Sequence, residues 1–146
     1  MARTKTVRRI GPAVDGVSAV LTTESFVDEI EIAEERARAR NFGHAAAIIR
    51  KDAIASIVPD PLGKPSPKGR PVATRRGLVK RAIVYAADKY GAVIGPTANL
   101  VGTSMSAHEF GGEYKGGNYP ARPTMGPALS RNTDRFAGSW RGSIGS

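Results

Sequence analysis

Residues 25–58, SFVDEIEIAEERARARNFGHAAAIIRKDAIASIV, carry the longest helical signal in the chain and set the fold class. Ser25 can serve as an N-cap, Asp28 and Glu29 fall in the first turns, and Phe26, Ile30, Ala33 and Ala37 recur every three to four residues. The charges are ordered too. Asp28, Glu29, Glu31, Glu34 and Glu35 precede Arg36, Arg38 and Arg40, which suits a helix with partial positive charge at its start and negative charge at its end. The same order describes an ordinary solvated face supported by Glu–Arg pairs. Asn41-Phe42-Gly43 marks a break, after which Ala45, Ile48, Ile49, Ala53, Ile54 and Ile57 predict the main core helix. One kinked helix and two packed helices both fit, because an internal Gly costs only about 1 kcal/mol relative to Ala. Pro59 ends the element in either case.

Working outward from this helix, residues 59–74 (PDPLGKPSPKGRPVAT) cannot hold regular structure, since each proline removes a backbone donor and pushes its predecessor toward extended conformations. They predict a long, extended, exposed loop, and loops of that length in small domains are usually functional or disordered when free. Residues 78–87 have the branched and aromatic content of a strand, Asp88-Lys89-Tyr90 turns the chain, and residues 91–95 return as a partner strand. A short helix around residues 106–110, a Gly-rich crossing over 111–118 and an extended piece over 119–122 follow. Residues 126–136 predict a closing helix with Pro127 in its first turn, where a missing N–H is harmless. At the other end, Arg3, Lys5, Arg8 and Arg9 lie in a loose basic arm that leads to one short strand over 17–21. The organisation expected is a flexible basic arm over 1–24, one domain over 25–138 and a tail over 139–146. Its class is α+β, a small antiparallel sheet with one long N-terminal helix, straight or kinked, a C-terminal helix and a long extended loop.

A chain of 146 residues fits one compact domain. Hydrophobic residues at 40% and charged residues at 24% place it among proteins that fold in water. No apolar run is long enough to span a bilayer, and the basic start lacks the apolar stretch of a secretory signal, so synthesis in the cytoplasm and no membrane partner are expected. With no cysteine there is no disulfide framework, thiolate nucleophile or Cys-based zinc site. His44 and His108 are the two histidines; His108-Glu109 could begin a His-Glu-x-x-His zinc helix, but Gly112 stands where the second His should fall. No phosphate-binding loop or dinucleotide fingerprint occurs, and the acidic residues cluster in one helix rather than at scattered strand ends. A non-enzymatic protein without cofactor or metal is therefore expected.

The net charge is +9. Lys64, Lys68, Arg70, Arg75, Arg76, Lys80 and Arg81 fall between Asp60 and Tyr85 with no acid among them. Such a segment can contact DNA phosphates without reading bases, contact an acidic protein surface, or simply solubilise the chain; aromatic residues suited to stacking single-stranded bases are missing from it.

Three stretches in the second half, taken in order, resemble the family of small head-tail joining, neck and tail-completion proteins of long-tailed bacteriophages. Thr74-Arg75-Arg76-Gly77-Leu78-Val79-Lys80-Arg81-Ala82-Ile83, after a helix and a Pro-containing loop, is similar to that family's Gly-Leu, basic pair, apolar arrangement. Ala107-His108-Glu109-Phe110-Gly111-Gly112 resembles its Glu-Phe-Gly box. Residues 119–129, YPARPTMGPAL, are similar to its Pro-x-Arg-Pro-Phe-hydrophobic-x-Pro-Ala-Leu stretch, with Thr124 where the family has Phe. Arg76, rather than the commoner Thr, precedes Gly77. The likeness covers residues 44–138.

The resemblance implies a structural virion protein of the head-tail junction, a small α+β subunit repeated in a homo-oligomeric ring of six-fold or twelve-fold symmetry and bound to neighbouring connector and tail proteins, with non-specific contact to packaged DNA as a further option. Heterologous contacts whose rotation closes build such rings. Candidate docking residues are Arg70, Arg75, Arg76, Glu109, Phe110, Arg122, Pro123 and Met125. Pro120 and Pro123 would stiffen an extended strip that presents Arg122 outward, while Met125 and Leu129 anchor the final helix. A free-standing basic nucleic-acid-binding protein is the alternative that charge alone supports.

Overall fold

Apolar residues spaced three and four apart along one helix face organise the molecule. In this computed structural model, which describes residues 4–14, 17–25 and 27–143, that face belongs to α1 (Val27–Ser56), 30 residues without interruption and about 45 Å long. Ala46, Ile49, Ala53 and the following Ile57 form its buried stripe. Arg3, Phe26 and residues 144–146, assigned from the sequence to the arm, the helix and the tail, lie outside the described residues. The break at Asn41-Phe42-Gly43 does not occur. Asn41 is buried, and Phe42 stacks against Phe136 at 5.9 Å and Trp140 at 5.5 Å between ring centroids, contacts that outweigh the modest helix penalty of Gly43. Ser25, expected as the N-cap, is the last residue of the strand that precedes the helix.

That strand belongs to a hairpin. β1 (Thr4–Val14) and β2 (Val17–Ser25) pair antiparallel from Thr4↔Ser25 to Ile10↔Ala19, with an irregularity between Ile10 and Val14. Two long strands thus stand where the sequence points to a loose arm and one short strand.

After α1 the chain makes its excursion over residues 59–74. The ends of the loop are closed by a parallel bridge between Pro59 and Thr74, in which Asp60 N–H donates to the Thr74 carbonyl at 3.0 Å and Thr74 N–H to the Val58 carbonyl at 3.1 Å. Residues 61–65 and 67–70 are exposed as expected, but Val72 and Thr74 are buried, so the loop is anchored rather than extended throughout. Next comes α2 (Leu78–Ala82), where a strand was expected; Gly77 takes a left-handed conformation, φ 68°, that starts a single helical turn. The turn sets Val79 and Ala82 toward the core, which a strand starting at Leu78 would not do.

β3 (Ile83–Ala87) and β4 (Ala92–Pro96) form the expected hairpin, in register Ile83↔Pro96 to Ala87↔Ala92, with Asp88 accepting from Tyr90 and Gly91 N–H to shape the turn. α3 (Ala98–Val101) and α4 (Ser104–Phe110) follow. The Gly-rich crossing holds a third small hairpin, β5 (Gly112–Tyr114) with β6 (Gly117–Tyr119). α5 (Met125–Ser139) closes the chain against α1, fastened by Asp52 accepting from Arg131 at 3.0 Å and Asn132 at 2.9 Å. Trp140, assigned from the sequence to a tail, instead joins the aromatic trio with Phe42 and Phe136.

The protein is α+β, with a long N-terminal helix, a C-terminal helix and small antiparallel sheets. Among the described residues, the strands form three separate two-stranded hairpins rather than one sheet. The core of Ile49, Ala53, Ile57, Val72, Ile83, Met105 and Ala128 lies under the second half of α1. The first half of α1 leaves this core, with Val27, Ile30 and Ile32 exposed.

Candidate functional site

The anchored loop and the short helices α2, α3 and α4 border an open surface cavity of about 580 Å³. Leu62, Val79, Val101 and Met105 give it an apolar lining; Lys64, Arg75 and Arg76 supply positive charge. Arg122 also lines it, and here the structure departs from expectation. Rather than being presented outward, Arg122 is only 8% exposed, and its Nε donates to the Ser66 carbonyl at 2.6 Å. Its own N–H donates to the His108 carbonyl, and Gly69 N–H donates to the Ala121 carbonyl at 2.8 Å. The strip of residues 120–123 is therefore the buckle that holds the basic loop to the body. Burial of a guanidinium is tolerable only with such partners.

Glu109 is likewise turned inward. Its carboxylate accepts three backbone N–H groups at the start of α5, with Oε2 on Thr124 at 2.8 Å and Met125 at 3.1 Å and Oε1 on Gly126 at 2.7 Å. A helix start leaves N–H groups without intrahelical partners and carries partial positive charge, so a carboxylate there is doubly favoured. Within the protomer, Glu109 acts as a cap for α5. Thr124 is buried in the position where the family pattern has Phe, and its Oγ1 accepts from Val72 N–H at 3.4 Å, tying the loop to the same corner.

The remaining candidates divide by exposure. Phe110 is 82% exposed, and Arg70, Arg75 and Arg76 are exposed around the loop. Pro123 is half-buried, and Met125 packs against the core while Leu129, expected to anchor α5 beside it, is exposed. Of the eight candidate docking residues, Arg75, Arg76 and Arg122 meet around one cavity, Phe110 lies apart from it beside β5 and β6, and Glu109 and Met125 serve the frame. Ser66 and His108, which also line the cavity, have buried polar atoms, Oγ and Nδ1, without a hydrogen-bond partner among the described residues. No sequence signal marks Ser66, because its role depends on where Arg122 folds back.

His108 packs edge-on against Tyr119 at 5.1 Å. Burial, and secondly the Arg122 charge, hold its imidazole below the ordinary value of 6.5. The folded state thus binds its proton less readily than the unfolded chain. This neutrality contributes stability that is complete above pH 6.5 and is lost as pH falls below it. Denaturant titrations between pH 7.5 and 5 are expected to show a decline in stability that is shallower in His108→Gln; identical slopes would contradict it.

Among the described residues, no group of three or more His, Cys, Asp or Glu side chains could hold a metal ion, and no helix is long and apolar enough to cross a membrane. The geometry offers a concave surface, apolar within and cationic around it, suited to an anionic partner with apolar side chains. Comparison with protein-family models, curated proteins and solved structures finds no match to this chain.

Proposed function

We propose that the protein is a structural subunit of the head-tail junction of a tailed bacteriophage, non-enzymatic, assembling into a ring and joining adjoining connector and tail proteins. The observation that supports this reading is the interlocking of the second and third of the stretches on which the family resemblance rests. Glu109 of the second stretch caps the helix that opens at Thr124, Met125 and Gly126 of the third. Val72 N–H, two residues before the first stretch, donates to Thr124 Oγ1. Residues that carry the family pattern and lock one another in space act as a fold-defining frame, which supports the reading.

The parts left over suit assembly. The first half of α1 leaves the core with apolar residues exposed, and the basic loop and Phe110 stand at the surface. Sedimentation velocity across protein concentration tests the reading. Closed rings of one size are expected. A protein that stays monomeric at every concentration, and binds DNA with an affinity that falls steeply with salt, would instead be the free-standing nucleic-acid binder.

A further inference from the structure

We propose that the acidic start of α1 in one copy seats in the basic cavity of a second copy, joining protomers head to tail. The inference rests on the ring reading above and names the contact that would build the ring.

Among the described residues, two surfaces of opposite charge make no ion pair. At one end, Asp28, Glu29 and Glu31 make no ion pair among the described residues, unlike Glu34, which pairs with Arg38, and Glu35, which pairs with Lys89. Beside them, Val27, Ile30 and Ile32 are 56%, 58% and 46% exposed. Val27, Ile30 and Glu31 stand three and four residues apart on one face, so two exposed apolar side chains and a carboxylate are presented together. At the other end, Lys64, Arg75 and Arg76 likewise form no ion pair among the described residues, and they surround a cavity lined by apolar side chains. One surface is apolar with negative charge. The other is a hollow of the matching kind.

Their placement decides who pairs with whom. The acidic tip begins α1 at Val27, whereas the cavity is lined from Asp60 onward, just past the end of the same 30-residue helix. A helix about 45 Å long holds the two apart, so they cannot meet within one protomer. Pairing between copies is heterologous, tip into cavity, and each protomer added offers the same two ends again; such contacts close into a ring when the rotation allows. Exposed charges set register and partner choice, and desolvation of the apolar residues between them supplies affinity.

Charge reversal with sedimentation velocity tests the contact. Asp28→Lys/Glu29→Lys/Glu31→Lys and, separately, Arg75→Glu/Arg76→Glu should each remain monomeric at concentrations where the wild type forms rings, with unchanged far-UV circular dichroism. Mixed in equal amounts they should assemble, since each tip then faces a cavity of opposite sign, and the mixed ring must alternate. If wild-type rings form but either variant assembles equally well, or the mixture does not assemble, this contact is wrong and the ring reading stands. If the wild type itself never assembles, the ring reading fails first. A measurement free of mutation guards against misfolded variants: raising salt from about 0.1 M to about 1 M shortens the screening length from roughly 10 Å to 3 Å and should slow the assembly of wild-type rings from dilute protomers. Indifference to salt would overturn the proposal.

Discussion

Ile83→Ala is expected to destabilise the fold by about 2–5 kcal/mol, the range for removing a buried branched side chain and leaving a cavity. Ile83 is fully buried in the core, at the first position of β3. Its carbonyl accepts from Arg50 Nε of α1 at 2.7 Å, and it faces Pro96 across the hairpin. The surroundings are pinned from two sides and cannot collapse to fill the space, which favours the upper part of the range. A domain of this size is stable by only about 5–15 kcal/mol, so the loss should lower the melting temperature on the order of 10 °C. Val93 on the partner strand, 77% exposed, provides the control: Val93→Ala should stay within about 0.5 kcal/mol. A loss at Ile83 of less than about 1 kcal/mol would mean that the hairpin is not seated on α1 as described.

Glu109→Ala is expected to cost about 2–3 kcal/mol, more than an ordinary cap, because one carboxylate satisfies three N–H groups at the start of α5. The effect should be local as well as global. Amide exchange at Thr124, Met125 and Gly126 should accelerate beyond the change seen over the rest of α5. Glu109→Gln keeps an amide oxygen as acceptor and should recover part of the loss but not the charge contribution. If Glu109 were a docking group instead, alanine would weaken assembly and leave the unfolding midpoint unchanged.

Local periodicity makes the helical frame legible in the sequence. The stripe of α1, the turn at Asp88 and Pro127 in the first turn of α5 are signals confined to neighbouring residues, and each lies where it was expected. Elements decided by tertiary packing were not legible. Residues 78–82 have the composition of a strand, yet one helical turn places Val79 and Ala82 against the core. The supposed break at Asn41-Phe42-Gly43 is spanned because Phe42 meets aromatic residues more than ninety positions away. For the N-terminal hairpin the sequence signals compete: Asp15-Gly16 between apolar residues favours a tight turn, whereas the basic charge nearby points to an arm.

The candidate site was half visible. A run of cations without acids identifies Arg75 and Arg76 as surface groups from composition alone, and they are exposed. Arg122 between two prolines looks like a displayed residue in a linear sequence; folding back onto the Ser66 carbonyl reverses that, and only the three-dimensional path reveals it. Glu109 shows the same limit, since a carboxylate sixteen residues before the first residue of a helix gives no sequence sign that it caps that helix.

The central claim is that this chain works by being built into a particle. Quantitative mass spectrometry of purified tailed particles produced by the host that carries this gene tests it most directly. The account predicts a fixed number of copies per particle, equal to the subunit count of the ring seen in solution. Particles complete with head and tail that contain none of this chain would contradict it.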